Sequence, residues 1–299
     1  MQKFQIFTDS CSDLPTEVRK EYGLEYLYMG LVVDGKEMHA DLDWKEYGFE
    51  EFYNWMVEGK SLKTTQVPIL EFVNRFTPYL EKGIDILYLG CSSKLTASLN
   101  ACHLAAEELK EQFPDRKIIG IDTMLASCVE GWITLDAAKL QASGKSLEEV
   151  AAWVEENKKY YNQFATTETL TYLKKAGRIS GSKAFMGNLF HKKPIFISDK
   201  YGSNYTIDLV TGLKNADESL IQGMKDTYDK EKSGGTIIIG QGVCMDRALR
   251  LKKRIEDEIG AKVEIWPIGP IVGTTCGPGI IATFCVGKEV TRYDGEPKQ

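Results

Sequence analysis

Residues 86–93 read Ile86-Leu87-Tyr88-Leu89-Gly90-Cys91-Ser92-Ser93, an apolar run that stops at a glycine and delivers two hydroxyl groups. A helical pattern follows, with apolar residues along one stripe up to Phe113. A strand that ends in hydroxyl residues before a helix can bind an anion, because backbone N–H groups and serine hydroxyls both donate there. Ser92 and Ser93 are therefore candidate ligands of an anion. Ser92 is also the better candidate for an ordinary helix N-cap.

Other predicted strands end in similar residues. The strand that begins at Phe4 runs into Thr8-Asp9-Ser10, and the strand at 117–121 runs into Asp122-Thr123. Thr64-Thr65-Gln66 stands just before Pro68. In a parallel sheet the carboxyl ends of the strands meet at one edge, and ligands bind in the crevice there. The sequence thus predicts a shared polar site at that edge, although each cluster alone is also typical of turns and caps.

Composition restricts the class of protein. The chain has 299 residues, 43% of them hydrophobic and 27% charged, which is ordinary for a globular protein of two domains. A net charge of −6 argues against general nucleic-acid binding. No apolar run approaches the length of a membrane span, and the N-terminus reads as a strand rather than a signal peptide.

The cysteines indicate a reducing compartment. There are seven, an odd number, and no two of them form a C-x-x-C pair. This pattern fits free thiols in the cytoplasm better than a disulfide framework or a zinc site. We therefore expect a cytoplasmic protein with no metal ion and no cofactor.

The order of predicted elements gives the fold class. Up to about residue 160, strand and helix patterns alternate. They include an apolar segment at 24–33, helices at 44–59 and 69–80, and a capping box of Ser146 and Glu149 that opens a helix at 147–160. The alternation favours an N-terminal doubly wound α/β domain with a parallel sheet and helices on both faces. Residues 161–299 carry short β patterns around two longer helices, at 214–230 and 245–259. This second part predicts a smaller α/β domain with a mixed or antiparallel sheet. The expected domains are 1–160 and 161–299.

A local excess of positive charge stands out in this acidic chain. No Asp or Glu occurs between Glu168 and Asp199, a stretch that contains six lysines and arginines and one histidine. They are Lys174, Lys175, Arg178, Lys183, His191, Lys192 and Lys193. This basic patch, from Lys174 to Lys193, can contact an acidic partner, a phosphate group or an anionic membrane surface, or it can be a solvated face with partners elsewhere.

Residues for catalysis are hard to find. The chain has three histidines, none beside a serine and a carboxylate in a recognisable order, and it lacks the G-x-S-x-G and P-loop motifs. The Gly-rich segment at 269–279 predicts tight turns but has no lysine for phosphate. Cys91 and Cys276 are candidate nucleophiles without a visible base. A polar patch without an acid–base pair indicates a binding site, so we expect no catalytic residue.

Taken together, seven short motifs resemble the DegV family, bacterial fatty-acid-binding proteins that include the FakB subunits of fatty acid kinase. They occur in the family's order and span essentially the whole chain. They are Thr8-Asp9-Ser10, Lys63-Thr64-Thr65-Gln66, Leu89-Gly90-Cys91-Ser92-Ser93, Asp122-Thr123, Leu173-Lys174-Lys175-Ala176-Gly177-Arg178-Ile179, Lys193-Pro194-Ile195 and Gly277-Pro278-Gly279.

The resemblance implies roles for particular residues. Thr64 or Thr65, together with Ser93, would hold the carboxylate of a long-chain fatty acid between the domains. Arg178 matches an arginine that the family uses near its docking or phosphate-transfer site, and Gly277 begins the Gly-Pro-Gly segment. The family usually carries a histidine two residues before that segment, and this chain has Thr275 there.

Three functions remain open from the sequence. The first is a fatty-acid carrier that presents the acid to a kinase subunit through the basic patch. The second is a carrier or sensor without kinase coupling, because Thr275 replaces the histidine. The third is a serine- or cysteine-dependent acyl hydrolase. Candidate residues for an apolar cavity wall, each of which can equally be ordinary core, are Phe185, Met186, Leu189, Phe190, Ile280 and Ile281.

Overall fold

The computed structural model describes residues 4–180 and 192–292. Its first half is built on a four-stranded parallel sheet in the order β2-β1-β6-β7. The strands are β1 (Phe4–Asp9), β2 (Glu25–Leu27), β6 (Asp85–Gly90) and β7 (Ile118–Asp122). The apolar runs of β1 and β6 are buried along almost their full length, as expected for strands covered by helices on both faces. The predicted parallel sheet is confirmed.

Six helices accompany this sheet. They are α1 (Thr16–Tyr22), α2 (Phe49–Val57), α3 (Ile69–Leu80), α4 (Ser98–Gln112), α5 (Cys128–Ala142) and α6 (Leu147–Asn157). The α3–α4 pair packs on one face of the sheet, and the α5–α6 pair on the other. At the start of α6 the Ser146 hydroxyl accepts from the Glu149 N–H, and the Glu149 carboxylate accepts from the Ser146 N–H. This capping box is the one that the sequence predicts.

A small antiparallel sheet, in the order β4-β3-β5, stands beside the parallel one. Its strands are β3 (Gly30–Val33), β4 (Lys36–His39) and β5 (Leu62–Thr65). The sequence predicts a single apolar segment over 24–33, which is wrong, because β2 and β3 belong to different sheets. The third strand, β5, brings Thr64 and Thr65 to the edge of the molecule where the parallel strands end.

The second half forms a seven-stranded mixed sheet in the order β13-β12-β14-β8-β10-β11-β9. The strands are β8 (Tyr161–Thr166), β9 (Ile179–Ser180), β10 (Lys192–Ser198), β11 (Asn204–Thr211), β12 (Thr236–Gln241), β13 (Lys262–Pro267) and β14 (Ile281–Val286). The helices are α7 (Leu170–Ala176), α8 (Gly212–Thr227), α9 (Met245–Ile259) and α10 (Pro270–Cys276). The predicted α/β class with a mixed C-terminal sheet is confirmed. Because this sheet starts at Tyr161, we retain 1–160 and 161–299 as the proposed domains.

Three local predictions are wrong. The segment at 269–279, expected to be a loop, contains α10, with Pro270 at its first position and Gly277 directly after its end. The helix expected from Trp44 begins only at Phe49, since Trp44 has a φ of 56° that no right-handed helix accepts. The expected N-cap Ser92 lies six residues before the first residue of α4, which is Ser98.

One hydrophobic core joins both halves of the chain. Helix α5 contacts β1 and β6 of the parallel sheet and also β8 and β14 of the mixed sheet. Residues as distant as Phe4 and Phe284 belong to the same buried cluster, and a second cluster lies beneath α8 and α9. Within the described residues, no helix combines the length and the apolar composition that a bilayer crossing requires.

Candidate functional site

A cavity of about 490 Å³ opens where the parallel strands end. Its walls come from both halves of the molecule: the segments after β6 and β7, the end of β5, helix α10 and one face of the mixed sheet. The apolar part of the wall includes Met29, Leu95, Ala97, Ala126, Ala165, Phe196, Ile268, Ile271, Val272, Ile280, Ala282 and Phe284. Polar side chains line the rest of the wall, including Gln163 and Asn204 on the mixed sheet. The cavity therefore offers a ligand both apolar surface and hydrogen-bonding groups.

Five of the seven predicted site residues line this cavity. Thr64 and Thr65 come from β5, Ser93 from the segment after β6, Arg178 from the turn after α7, and Thr275 from α10. These positions lie up to 211 residues apart in sequence. The fold thus brings together hydroxyl groups that the sequence shows only as separate clusters.

The hydroxyl of Ser93 is hydrogen-bonded within the protein. Its Oγ donates to Oδ2 of Asp122, the last residue of β7, and its N–H lies 3.3 Å from both Asp122 carboxylate oxygens. Oδ1 of Asp122 also accepts from the N–H of Met124 at 2.8 Å. The sequence shows Asp122 only as part of a polar strand end. Its contact with Ser93 depends on β6 and β7 being neighbours in the sheet.

Strand pairing positions the two threonines. Thr65 lies opposite Gly30, and Thr64 lies opposite Leu31, in the antiparallel pair of β5 with β3. A Cβ added at Gly30 would overlap the Oγ1 of Thr65, so this glycine leaves room for the hydroxyl. The requirement for Gly30 is therefore steric and concerns one side chain of the cavity wall.

Arg178 connects α7 with the segment that follows Ser93. Gly177 ends α7 in the left-handed conformation, with a φ of 64°, which turns the chain toward the cavity. The Nε of Arg178 donates to the Leu95 carbonyl at 2.9 Å, and its Nη1 donates to the Ala176 carbonyl at 3.1 Å. The guanidinium thus stays at the mouth of the cavity, where it contributes positive charge.

Ser92 and Gly277 lie behind the cavity wall. Ser92 is fully buried, and its Oγ donates to the carbonyl of Gly202 at 2.8 Å and accepts from the N–H of Lys94. Gly277 has a φ of 82°, and a Cβ there would overlap the ring of Tyr172. Both residues pack neighbouring segments together, and their direct contact with a ligand stays a prediction.

Thr275 faces the cavity from the last turn of α10. Its Oγ1 lies 3.4 Å from the Ile271 carbonyl one turn earlier, a common arrangement for a threonine inside a helix. The side chain therefore offers an oxygen and a methyl group at the place where the DegV pattern usually has a histidine.

Beneath the cavity lies a buried polar floor. Asp9 accepts from the Tyr88 hydroxyl at 2.7 Å and from the N–H groups of Cys11 and Cys91. Burial raises the pKa of Asp9, and it raises the pKa of Glu130 well above its ordinary range. In both cases the cause is burial, which disfavours the charged form of a carboxyl group.

Two floor thiols and Glu130 form the described group whose geometry most suits a metal ion. The Sγ atoms of Cys11 and Cys91 and a carboxylate oxygen of Glu130 lie within 4.8 Å of one another. Metal ligands must be deprotonated, however, and the pKa values of Cys91 and Glu130 are raised, the first by its hydrogen bond to Cys11 and by burial and the second by burial. The group therefore fits a metal ion poorly.

The candidate nucleophiles are equally unsuited to attack. The pKa of Cys91 is raised well above the ordinary value, and burial raises that of Cys276. A thiol that stays protonated at neutral pH is a weak nucleophile. The site therefore gives no support to the thiol-dependent hydrolase. All seven cysteines are free.

The basic patch is only partly described. Lys174 and Lys175 are exposed on α7, whereas the Nζ of Lys192 donates to the Thr211 hydroxyl and that of Lys193 to the Glu168 carbonyl. Of the predicted wall residues, Ile280 lines the cavity, and Ile281 belongs to the second core. Several predicted residues lie outside the described ranges, namely Lys183, Phe185, Met186, Leu189, Phe190 and His191.

Comparison with known proteins supports the resemblance to the DegV family. A DegV domain-containing protein of Clostridium perfringens is 34% identical over 288 residues, which cover 96% of this chain and 98% of that protein. A crystal structure of a DegV lipid-binding protein from Thermotoga maritima superposes with a TM-score of 0.83 at 25% identity, covering 97% of this chain and all of that one. A structure that describes fatty acid binding of a DegV family protein from Thermus thermophilus gives a TM-score of 0.83 at 26% identity, covering 96% of this chain and all of that one.

The match to a family model completes this comparison. The model described as "Uncharacterised protein, DegV family" matches residues 3–288, which include the parallel sheet, the mixed sheet and every residue named in the cavity wall. Ordered motifs, fold and cavity lead to one conclusion: this chain belongs to the DegV family.

Proposed function

We propose that this protein binds a long-chain fatty acid in the cavity, with the carboxyl group at the hydroxyl residues and the acyl chain along the apolar wall. The observation that carries the proposal is the cavity itself, which has hydroxyl groups and an arginine at its mouth and an apolar interior. The two solved relatives described by their authors as lipid- or fatty-acid-binding support it, because they share the fold over their whole length.

Most of the affinity would come from the acyl chain. About fifteen buried methylenes at roughly 0.8 kcal/mol each contribute about 12 kcal/mol before the cost of ordering the ligand. The head group contributes orientation, since a carboxylate buried without partners would be strongly unfavourable. Thr64, Thr65 and Ser93 are the proposed partners of the carboxyl group, and Arg178 supplies positive charge at the mouth.

The carrier would leave the chemistry to another protein. We propose that it works in the cytoplasm, without a cofactor of its own. It would present the acid to a fatty acid kinase subunit, which would contact the exposed Lys174 and Lys175, and it would touch a membrane surface only transiently. Thr275 favours a second candidate, a carrier or sensor without kinase coupling, because threonine cannot supply the ionisable ring of the usual histidine.

Ligand identification tests the proposal directly. Protein purified from a bacterial host should show an added mass of one acyl chain in native mass spectrometry, and extraction should release the free acid. Ala282→Phe adds a ring to the apolar wall opposite Ala165 and should remove this bound mass. The matched control Ala152→Phe, on the exposed side of α6, should retain it.

Two other results would contradict the proposal that the protein carries a fatty acid. A clean apo mass together with no binding of added oleate or palmitate would reject it. Turnover of an acyl ester that Ser93→Ala abolishes would instead identify a serine-dependent hydrolase.

The kinase question needs its own assay. The loaded protein is incubated with the catalytic subunit of a fatty acid kinase and ATP, and acyl phosphate is measured. If Thr275 uncouples the carrier, wild type should give no product and Thr275→His should gain it. Product with wild type would show that coupling does not need the histidine.

A further inference from the structure

One feature of the cavity conflicts with simple binding of a carboxylate. The only proton of the Ser93 hydroxyl is donated to Asp122, and the Ser93 N–H also faces that carboxylate. An ionised acid can only accept hydrogen bonds. Its carboxylate would therefore compete with Asp122 for a single proton, and the two negative charges would repel each other.

The other charges near Asp122 do not cancel its charge directly. Among the described residues, no lysine or arginine forms an ion pair with Asp122. Lys158 donates to the main-chain carbonyl of Asp122 at 2.8 Å and pairs with Glu155. Lys94 and Arg178 line the cavity mouth, where Arg178 donates to two main-chain carbonyls.

Two acidic groups on neighbouring elements are also engaged. Asp199, in the turn after β10, accepts from the N–H groups of Tyr201 and Ser203. Asp9, beneath Cys91, accepts from the Tyr88 hydroxyl. The Ser93 hydroxyl donates to Asp122 rather than to either of these carboxyl groups, so Asp122 is its acidic partner.

We propose that the site takes up one proton with each fatty acid, and that Asp122 is the positioning residue responsible. The acid binds as R–COOH: its O–H donates to Ser93 Oγ, and Ser93 continues to donate to Asp122. The proton comes from the buffer, so the bound complex has one more hydrogen than ionised acid plus free protein. This inference rests on the proposed function and adds a preference for head groups that donate a hydrogen bond.

The proposal has a clear consequence for pH dependence. A free carboxylic acid has a pKa of about 4.3 and is ionised at neutral pH. Binding of the neutral form then weakens about tenfold for each unit of pH above that value. A long-chain alcohol also offers an O–H to Ser93, has no charge to lose, and should bind with an affinity independent of pH.

Calorimetry measures the proton directly. Full-length protein freed of co-purified lipid is titrated with oleate below its micelle concentration at pH 7.5, in phosphate, imidazole and Tris. The dependence of the binding heat on buffer ionisation enthalpy gives the number of protons taken up. We expect about one for wild type, and an about 100-fold rise in Kd between pH 6 and pH 8.

Substitution assigns the effect to one carboxylate. Asp122→Asn removes the negative charge. With its Oδ1 still accepting from the Met124 N–H, its Nδ2 replaces Oδ2 and donates to Ser93 Oγ, so the Ser93 hydroxyl can donate to an ionised ligand. Proton uptake should then fall to near zero and the pH dependence should flatten. The control Asp115→Asn removes the same charge from the exposed turn before β7, at the opposite end of that strand, and should behave as wild type. Thermal unfolding of each variant checks that the fold is retained.

The outcomes separate this inference from the proposed function. Oleate binding without proton uptake, or uptake that Asp122→Asn leaves unchanged, overturns the role of Asp122 while leaving fatty-acid binding intact. Failure of both oleate and oleyl alcohol to bind overturns fatty-acid binding itself. If Asp122→Asn unfolds, wild-type proton uptake together with pH-independent binding of oleyl alcohol still decides the question.

Discussion

Asp13 is a buried carboxyl group that joins the two halves of the molecule. Its Oδ2 accepts from the Ser127 hydroxyl at 2.6 Å, and its Oδ1 accepts from the Gly269 N–H at 2.8 Å, just before α10. Burial raises the pKa of Asp13 to about 7. The unfolded chain binds that proton only below about pH 4. Between these two values the folded protein therefore holds an extra proton.

This difference makes stability depend on pH. Because the pKa is raised on folding, the free energy of unfolding falls as pH rises from about 4 to about 7, by up to about 1.4 kcal/mol per unit. Asp13→Asn keeps an acceptor for the Gly269 N–H and cannot ionise. The free energy of unfolding of the variant minus that of wild type should therefore be larger at pH 8 than at pH 5, as measured by urea unfolding.

The comparison isolates Asp13 from other buried acids. Asp9 and Glu130 also have raised pKa values and are present in both proteins. The exposed Asp115→Asn is the control for charge alone. An equal stability difference between Asp13→Asn and wild type at pH 5 and pH 8 would contradict the assignment.

Gly277 is required for packing between α7 and α10. Its φ of 82° is unfavourable for other residues, and an added Cβ would overlap the Tyr172 ring. Gly277→Ala should lower the free energy of unfolding by about 3 kcal/mol, which combines backbone strain with overpacking. Gly23→Ala, at the left-handed end of α1 with open space around it, should cost only about 1 kcal/mol. Equal losses in denaturant titrations would mean that the ring contact is unimportant.

At the scale of elements, the β3–β5 pair places the threonine hydroxyls. Gly30→Ala should turn the Thr65 side chain away from its present position, because the new methyl group overlaps Oγ1. If Thr65 bonds the carboxyl group, oleate should bind about fivefold more weakly, as expected for loss of one hydrogen bond. A fluorescence displacement assay measures the change.

A second glycine provides the control for this experiment. Gly48→Ala adds the same methyl group before α2, where the nearest atom, the Glu51 Cβ, is 3.8 Å away, and it should leave oleate affinity unchanged. Unaltered affinity in Gly30→Ala would remove Thr65 from the head-group site.

Several elements could be predicted closely from sequence alone. Helix α3 spans residues 69–80 and α9 spans residues 245–259, as the apolar periodicity predicts. Helix α10 could not be predicted, because its glycine-rich sequence is typical of a loop. The helix is stabilised by packing against α7 and α2. The start of α2 at Phe49 could not be predicted either, since no sequence pattern indicates that Trp44 has a positive φ.

At the scale of the whole molecule, the cavity has walls from both halves of the chain. Its wall includes Thr64 of β5 from the first half and Ala282 of β14 from the second. A ligand that binds only the folded state stabilises it by about 2.7 kcal/mol at one hundred times Kd. Oleate should therefore slow amide hydrogen exchange in β5 and β14 together. Protection of one strand alone would place the ligand outside the shared cavity, and Ala282→Phe should abolish both effects.

The sequence by itself determined the α/β class, most helices and strands and the ordered motifs of the DegV family, because these depend on local periodicity and on residue types at fixed spacing. The tertiary structure alone decided which hydroxyls share a cavity. Ser93 meets Asp122 only because β6 and β7 are neighbours, and Ser92 faces Gly202 only because the mixed sheet packs there. Such contacts join residues far apart in sequence, and no local pattern specifies them.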